Sequence, residues 1–477
     1  MTHAAAQPTA QVTPGDGSRT EHDLLGERAV PVRARWGIHT LRATENFAVS
    51  GSPVPHSLVR ALGQVKKACA EANAELGFLA AEIASPILNA CDDLIEGELD
   101  DDIRVDALQG GAGTSTNMNV NEVIANRALE LAGHPFGRYD IVHPLEHVNL
   151  HQSTNDVYPT AVKVAAIHLL RGLSEAAAEL QGAFQRKEKA FADIAKLGWT
   201  ELQPAVPLTL GQEFSAFGEA FSRDRWRTFK CEERLRVVNL GGTAVGTGLT
   251  APRSYIFLVI EKLRAITGLG LCRAENLVDA TANSDAFVEV SGSLGALAAN
   301  LIKVASDLRL LHRDGEIRLP AVQAGSSIMP GKVNPVVLEC AMQAGIRIRA
   351  NDATIAECAS RGSLQINEFL PLLAVSLLES LDIGDRACRT LARHVDGIEA
   401  DKNRCRERLN HSPSIITAFL PEVGYDRATR LLAEFAESGA HHLRDFLAER
   451  LGADTVDRVL SPQNLTALGT RDDAEIP

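Results

Sequence analysis

The most unusual polar segment of the chain is residues 325–335, which read GSSIMPGKVNP. Two glycines and two prolines in eleven residues predict a loop, and the loop carries a serine pair, Lys332 and Asn334. A phosphate-binding P-loop would have four residues between its glycines and a Ser or Thr after the lysine, whereas here five intervene and Val333 follows. A loop that closes over a small anion fits better, with charge from Lys332 and chemistry from Ser326. The alternative is an ordinary flexible connection.

A second polar segment, residues 110–122, contains three glycines followed by Thr114 and Ser115. Glycines let the backbone approach a ligand closely, and hydroxyls and free amides at the start of a helix suit a carboxylate or a phosphate. The segment therefore predicts an anion site at a helix N-terminus. Ordinary capping of a helix explains the same residues and is the simpler interpretation of this segment taken alone.

Two more polar segments lie near expected helix ends. Ser153, Thr154 and Asn155 offer three small donors before the first long predicted helix. Capping accounts for one or two of these donors but does not need all three. Thr200 and Glu201 form the last segment, which is weak evidence alone because Thr and Glu are common at a helix entrance.

Apolar residues at steps of three and four predict the long helices that position these segments. The strongest run alternates such steps over three heptads and comprises Val290, Leu294, Leu297, Leu301, Val304, Leu308 and Leu311. A similar stripe comprises Val162, Ala166, Leu169, Leu173, Ala177, Leu180 and Phe184. Helices with such seams pack side by side into a bundle. Since aromatic residues are only 5% and alternating β-branched runs are few, we predict a mainly all-α fold.

Breaks rich in Gly and Pro near residues 135–144 and 410–421 divide the chain into parts. We expect four segments in chain order: a flexible N-terminal tail at 1–20, an N-terminal domain at 21–150, a central helical-bundle domain at 151–408 and a small C-terminal helical domain at 409–477.

Composition excludes several classes of protein. With 45% hydrophobic residues and 23% charged residues, the 477-residue chain can bury a core, so disorder is not its main state. Its formal charge of −13, without basic clusters, argues against nucleic acid as a partner. Eight scattered cysteines without a C-x-x-C motif indicate a reducing compartment. No segment approaches the roughly 18 apolar residues of a membrane span, and no signal-peptide core is present. We therefore expect a soluble cytoplasmic protein that does not bind membranes.

No motif for a cofactor or a metal ion is evident. Residues 246–248 read GTG but lack the third glycine and the preceding strand of a dinucleotide site. His39, His143, His147 and His151 do not have the spacing of metal ligands, and structural or anion-site roles suit them better. We therefore predict no cofactor and no metal ligand.

Taken together, these segments resemble the aspartase/fumarase superfamily. Residues 325–335 are similar to its signature loop, and residues 113–122 and 147–160 are similar to its other two segments. The similarity runs from residues 23–26 to residues 461–465, nearly the whole chain. It implies an all-α, three-part fold with a central bundle of long helices, assembled as a homotetramer with a twenty-helix core. It also implies active sites built from three subunits, so that much of the heptad seam faces neighbouring chains.

Within the superfamily, three local choices are more like aspartate ammonia-lyases than class II fumarases. Ser115 stands where fumarases usually carry Gln, Thr154 where they usually carry Ser, and residues 336–337 read VV as in aspartases. Two features do not support that choice: His143 begins a segment similar to the second anion site of fumarases, and Glu201 replaces the usual His or Gln. The resemblance thus favours elimination of ammonia from L-aspartate, with fumarate as the product.

The resemblance also implies roles for individual residues. Removing the proton next to the β-carboxylate creates an aci-carboxylate dianion, which preorganised donors must stabilise. The general base is Ser326, and the backbone N–H groups of Ile328 and Met329 would stabilise its alkoxide once the loop closes. The residues that would bind the dicarboxylate substrate are Thr114, Ser153, Thr154 and Ser327 at the aci-carboxylate end, Lys332 and Asn334 at the α-carboxylate, and Asn155, Thr200 and Glu201 around the amine. Ser115 is also expected to bind the substrate.

Other functions remain open from the sequence. A class II fumarase, or a lyase for another substituted succinate such as an N-substituted aspartate or nitrosuccinate, would share the anion clamp and Ser326. Such enzymes would differ around Thr200, Glu201 and Asn155. A different class is a non-catalytic helical scaffold, as one branch of the superfamily is a lens protein; the presence of Ser326 and Lys332 disfavours it.

Overall fold

The computed structural model describes residues 17–467 and Gly469. Most of the expected tail at 1–20 lies outside the described residues, and residues 18–20 belong to a strand. The predicted all-α class is confirmed: helices dominate, and strands form only small two-stranded sheets in the described part of the chain. The predicted domain boundaries remain predictions.

Seventeen α-helices cover the described residues, and the longest have 37, 29 and 27 residues. In chain order the helices are α1 (Ile38–Asn46), α2 (His56–Glu75), α3 (Ala81–Glu96), α4 (Thr114–Leu131), α5 (Thr154–Ala190), α6 (Leu210–Leu235), α7 (Arg253–Thr267), α8 (Leu277–Ala282), α9 (Asp285–Arg313), α10 (Val336–Ala359), α11 (Leu370–Asp396), α12 (Lys402–His411), α13 (Leu420–Val423), α14 (Tyr425–Ser438), α15 (Leu443–Leu451), α16 (Ala453–Val459) and α17 (Pro462–Leu465). Short 3₁₀ or π turns lie at Asp100–Asp102, Pro144–Val148 and Pro413–Phe419.

Eight short strands pair in order along the described chain. They are β1 (Ser18–Asp23), β2 (Gly26–Pro31), β3 (Ala195–Thr200), β4 (Gln203–Thr209), β5 (Val237–Val238), β6 (Cys272–Arg273), β7 (Ile317–Arg318) and β8 (Glu399–Ala400). The β5–β6 pair is parallel, and the other three pairs are antiparallel.

The chain divides into two compact units. The first unit comprises the chain up to Gly172, Thr228–Gly295 and Ile348–Asp382. The second unit comprises Leu173–Arg227, Ala296–Arg347 and the chain from Ile383 onward. Each of the five longest helices contributes residues to both units.

The heptad seam of α9 packs inside its own chain. All seven seam residues from Val290 to Leu311 are at most 5% exposed in the single chain. The expectation that much of this seam faces neighbouring chains is therefore wrong. Periodicity identifies which face of a helix is apolar but not which chain covers it. The opposite face remains open, where Ala299 is exposed and a Cβ added to Gly292 would meet no atom within 4 Å.

One helix in the described part of the chain, α9, is long and apolar enough to cross a membrane by length and composition. Its most apolar window of 18 residues has a mean hydropathy of 1.3, so the prediction that no segment approaches this length is wrong by that criterion. Buried seam residues together with alanines on the other face raise the average. A core helix passes the same test, so this result alone is weak evidence for a membrane span.

In the second unit, β3 and the C-terminal helices share one hydrophobic cluster that includes Leu197 and Phe419. Next to it the buried Lys196 Nζ lies 2.7 Å from Glu213 Oε2 and 2.6 Å from Glu316 Oε2. Two carboxylates around one buried ammonium group restrict the position of β3. These ion pairs therefore also restrict the position of the β3–β4 hairpin tip at Thr200.

Replacing Leu301 by Ala should lower the free energy of unfolding by about 2–5 kcal/mol, because the side chain is fully buried and its loss leaves a cavity. Urea unfolding measures this loss, and size-exclusion chromatography should give wild-type elution. Ala299→Ser on the exposed face of α9 is the matched control, with little expected change. A changed assembly state with unaltered unfolding would instead assign the seam to contacts between chains.

Candidate active site

In the first unit, the starts of α4 and α5 lie side by side. Gly113 precedes α4 with a φ of +94°, and a Cβ added there would lie 2.4 Å from Cδ2 of Tyr158 on α5. Only glycine allows both this backbone conformation and this approach. The structure thus brings the segment that begins at Thr114 next to the segment that ends at Asn155.

Asp156 holds the start of α5 in place. Its Oδ1 accepts a hydrogen bond from Ser153 N at 2.9 Å, and its Oδ2 accepts from the backbone nitrogens of Gly241 and Thr243, each at 3.0 Å. Burial raises the pKa of Asp156 to about 6, although these three N–H groups act to lower it. The carboxylate therefore ties the Ser153 backbone to the glycine-rich loop at residues 239–248.

The predicted donors on α5 are only partly free. Thr154 is buried, and Ser153 Oγ accepts from Asn155 N at 3.2 Å. Asn155 Nδ2 donates to Ala244 O at 2.7 Å. This bond orients the amide and does not use its Oδ1, which is the acceptor atom that an ammonium group would need.

A layer of buried and half-buried polar side chains, which the sequence analysis did not predict, connects the two helix starts. Lys66 Nζ donates to Asn149 Oδ1 at 3.0 Å and to Gln152 Oε1 at 2.8 Å. Asn117 and Asn121 on α4 also donate to Asn149 Oδ1, at 3.2 and 3.1 Å. Burial lowers the pKa of Lys66 to about 8.

Weak signals for this layer exist in the sequence. Lys66 lies on the apolar face of α2, four residues after Leu62, and Asn117 and Asn121 share one face of α4. The loop at 239–248 has four glycines, of which only Gly246 and Gly248 belong to a segment that resembles a nucleotide motif. Polar residues on an apolar helix face, and glycines outside known motifs, are thus the features of the sequence that indicate this polar layer and the loop beside it.

In the second unit, the loop at residues 325–335 folds back on itself. Ser326 Oγ accepts hydrogen bonds from Met329 N at 2.9 Å and from Ile328 N at 3.2 Å. Two N–H groups on one hydroxyl oxygen favour negative charge on that oxygen. The side chain of Ile328 is 84% exposed, so the turn presents these donors from an open loop.

The base of this loop is closed by contacts between its two ends. Gly325 N donates to Lys332 O at 2.7 Å, and Asn334 Nδ2 donates to Gly325 O at 2.8 Å. A Cβ on Gly325 would approach Lys332 O to 2.8 Å, so glycine is needed for this closure. Lys332 is exposed and makes no ion pair within residues 17–467, which leaves its charge for a ligand.

Thr200 and Glu201 lie at the tip of the β3–β4 hairpin, so the expectation of a helix end at this segment is wrong. Thr200 pairs with Gln203, and the two residues between them, Glu201 and Leu202, have φ of +51° and +61°. Two positive φ values are typical of the tight turns that match the twist of a hairpin. Non-glycine residues obscured this turn in the sequence.

The predicted site residues thus fall into two groups. The first unit holds Thr114, Ser115, Ser153, Thr154 and Asn155. The second unit holds Thr200, Glu201, Ser326, Ser327, Ile328, Met329, Lys332 and Asn334. The first group offers neutral donors at helix starts, and the second group holds the candidate base and the candidate cation.

Three of the four singled-out histidines make hydrogen bonds through Nδ1 inside the first unit. His143 Nδ1 accepts from Leu145 N at 3.1 Å, and His147 Nδ1 accepts from His143 N at 2.9 Å. His151 Nδ1 lies 2.7 Å from Asn73 Oδ1. Among the described residues, no group of three or more His, Cys, Asp or Glu side chains is arranged to hold a metal ion.

Comparison with known proteins gives consistent matches. Residues 26–350 match a family model described as Lyase. Two similar curated proteins are both named aspartate ammonia-lyase: one from Pseudomonas canavaninivorans is 46% identical over 94% of this chain and 97% of its own length. The other, from Escherichia coli (strain K12), is 43% identical over 94% of this chain and 96% of its own length.

Two solved structures of named proteins have a similar fold. A fumarate lyase:delta crystallin from Brucella melitensis, bound to cobalt, has 46% identity and a TM-score of 0.90, covering 94% of this chain and 100% of its own. A class II fumarase from Schistosoma mansoni has 30% identity and a TM-score of 0.87, covering 93% of this chain and 98% of its own. These matches agree with the predicted fold of long helices.

Replacing Gly113 by Ala should destabilise the protein by about 3 kcal/mol or more, because a methyl group would overlap the Tyr158 ring in a left-handed backbone conformation. Gly133→Ala is the matched control: its φ is +77°, but a Cβ there would meet no atom within 4 Å. The control should cost about 1–2 kcal/mol. Urea unfolding measures both, and equal losses would contradict the close approach of α4 and α5.

Proposed function

This chain belongs to the aspartase/fumarase superfamily of lyases, and from that membership we propose that it catalyses the reversible elimination of ammonia from L-aspartate to give fumarate. The relatives named aspartate ammonia-lyase support this choice of substrate. Ser115 and Thr154, where fumarases usually have Gln and Ser, support it from the residues.

The single observation that carries the mechanism is the pair of N–H groups on Ser326 Oγ. A serine hydroxyl is a poor base, because its alkoxide is unstable in water at neutral pH. Donors from Ile328 and Met329 would stabilise the alkoxide, most strongly when the loop closes over substrate and excludes water. Ser326 would then remove a proton from the carbon next to the β-carboxylate.

The electrons of the broken C–H bond move into that carboxylate, which becomes an aci-carboxylate with two negative charges. Thr114, Ser115, Ser153, Thr154 and Ser327 are the proposed donors to this charge. Because the dianion exists only transiently, donors fixed in advance lower the barrier more than they strengthen substrate binding. The bonds that hold the start of α5 support such preorganisation.

The electrons then return to form the C=C bond while the C–N bond breaks and ammonia leaves. Lys332 and Asn334 are proposed to hold the α-carboxylate, since Lys332 is a charged group with no protein partner in the described chain. Thr200 and Asn155 would contact the amine. Glu201 is proposed to pair with the substrate ammonium group, which favours an amino acid over a hydroxy acid.

Membership of the superfamily supports assembly from more than one chain. In the superfamily, different subunits supply different segments of each site, and we propose the same homotetramer here. The open face of α9 at Gly292 and Ala299 is a suitable packing surface because small residues allow helices to approach closely. We also propose a cytoplasmic location, in keeping with eight free cysteines.

A class II fumarase is the second candidate, and one observation favours it. His143 and Pro144 begin a segment similar to the second anion site of fumarases, and in this structure His143 caps the turn at Pro144–Val148. Malate and fumarate would then be the substrate pair.

The deciding experiment is fumarate formation, followed by ultraviolet absorbance, with purified protein and either L-aspartate or L-malate. We expect turnover of aspartate only, and turnover of malate only would establish the second candidate.

Ser326→Ala should lower kcat by about 10²–10⁴-fold with little change in KM, because it removes a proton-transfer group. A Ser326→Ala variant with wild-type kcat would exclude this serine as the base.

Replacing Glu201 by Gln should lower the preference for aspartate over malate, measured as the ratio of kcat/KM values, by about fivefold. An ion pair at an exposed site contributes about 1 kcal/mol, which corresponds to this factor. Glu399→Gln changes an exposed carboxylate in the same unit that pairs in the β7–β8 sheet, so it is the control and should leave the ratio unchanged. If Glu201→Gln behaves like the control, the pairing with the ammonium group is wrong.

A further inference from the structure

One half-buried amide lies between the two helix starts of the first unit. Asn149 Oδ1 accepts hydrogen bonds from Asn117 at 3.2 Å and Asn121 at 3.1 Å, both on α4, and from Lys66 Nζ on α2 at 3.0 Å. Its own Nδ2 donates to Gln152 O at 3.2 Å, one residue before Ser153. A single side chain therefore contacts the helix that begins at Thr114 and the turn that leads into α5.

We infer that Asn149 is a positioning residue for the reaction: through these contacts it sets the distance between the donors at the start of α4 and those at the start of α5. This inference rests on the proposed function, because those donors are the proposed clamp for the aci-carboxylate. Asn149 makes no hydrogen bond to a proposed substrate-binding side chain, so it acts through the side chains of Asn117 and Asn121 on α4 and through the backbone of Gln152 before α5.

The chemistry of the contacts explains why an amide suits this position. A carbonyl oxygen can accept several donors without bringing a second charge close to the buried ammonium group of Lys66. The amide nitrogen also supplies a donor to the carbonyl of Gln152, which a carboxylate could not do. The side-chain oxygens of Asn117 and Asn121 have no hydrogen-bond partner among the described residues, so both amides meet this network through their nitrogens.

A second link lies on the other side of the same turn. Lys66 Nζ also donates to Gln152 Oε1, and Gln152 Nε2 donates to Val148 O at 2.9 Å. The backbone from residue 148 to residue 152 is thus fixed at both ends: the carbonyl of Val148 accepts from Gln152, and the carbonyl of Gln152 accepts from Asn149. Lys66 adds a third link through the side chain of Gln152. Asn149 is the member of this set that also reaches α4, and its loss would uncouple the two helix starts while leaving each helix intact.

The expected signature is a fall in kcat with little change in KM. Ground-state binding of a dicarboxylate tolerates small shifts of individual donors, because Lys332 and other groups still hold it. Charge that develops in the transition state needs all donors in place together, and small misplacements lower the rate steeply. A purely structural role would instead lower stability and the amount of folded enzyme without changing kcat per folded site.

The test compares Asn149→Ala with Asn119→Ala as the matched control. Asn119 is a buried amide on α4 between the two donors, but it bonds Arg104 N and Asp102 O, away from the turn. Kinetics with L-aspartate should show kcat lowered about tenfold or more for Asn149→Ala, KM within about threefold, and the control near wild type. Active-site content is normalised to folded protein by circular dichroism.

Hydrogen exchange followed by mass spectrometry gives a readout that does not depend on activity. In Asn149→Ala, we expect faster exchange in peptides covering residues 111–121 and residues 149–157, with unchanged exchange in the control at residues 149–157. Asn149→Asp keeps an acceptor for Lys66, Asn117 and Asn121 but loses the donor to Gln152 O, so protection should return at residues 111–121 and not at residues 149–157. Asn121→Ala removes one donor and is the milder variant if Asn149→Ala does not fold.

The outcomes separate the two proposals. If Asn149→Ala changes neither kcat nor exchange, or changes exchange only at residues 149–157, Asn149 does not couple the helix starts. If the wild-type chain produces no fumarate from aspartate or malate, the proposed function fails, and the exchange of the two segments still decides the coupling. If Asn149→Ala and Asn119→Ala lower kcat equally, Asn149 has no specific positioning role and contributes only to the stability of the fold.

Discussion

Buried backbone N–H groups that no regular element can pair are the constraint on which this structure depends. Each must find an acceptor, because an unpaired one is costly away from water. The chain satisfies them with single oxygen-bearing side chains: Asp156 accepts three, and Glu122 accepts from Gly37, His39 and Thr40. Burial raises the pKa of Glu122 to about 7 and the pKa of Asp156 to about 6, because the charge of each carboxylate is poorly solvated inside the protein.

Ser326 applies the same principle in a different setting. It accepts two backbone N–H groups, but in an exposed loop rather than in the core. Where a buried carboxylate that gathers N–H groups fixes the fold, an exposed hydroxyl that gathers them gains acidity, because the donors stabilise its ionised form. The same local geometry thus serves structure in one unit and, in the proposed mechanism, chemistry in the other.

The sequence predicted the fold class, the long helices and the identity of the polar segments, since apolar periodicity and clustered small donors are local patterns. It failed where the answer depends on what packs against a residue. Periodicity in α9 located its seam but not the chain that covers it. The sequence predicts a helix end at Thr200 where the structure has a hairpin, because neither Glu201 nor Leu202 is the glycine or asparagine expected in such a turn. Asn149 belongs to no repeating pattern, so only the three-dimensional contacts reveal it.

The hairpin tip has a consequence for how this chain can change. Residues with side chains in the left-handed region are strained by about 1–2 kcal/mol each, and Glu201 and Leu202 both occupy it. A lineage selected for thermal endurance alone would drift toward Asn-Gly at these two positions. On the proposed role of Glu201, a carboxylate at this strained, exposed turn exchanges some stability for substrate choice. Both residues are exposed at the end of a strand pair that the Lys196 ion pairs hold in place. Substitutions at these two positions could therefore change which leaving group the enzyme accepts without changing the strands.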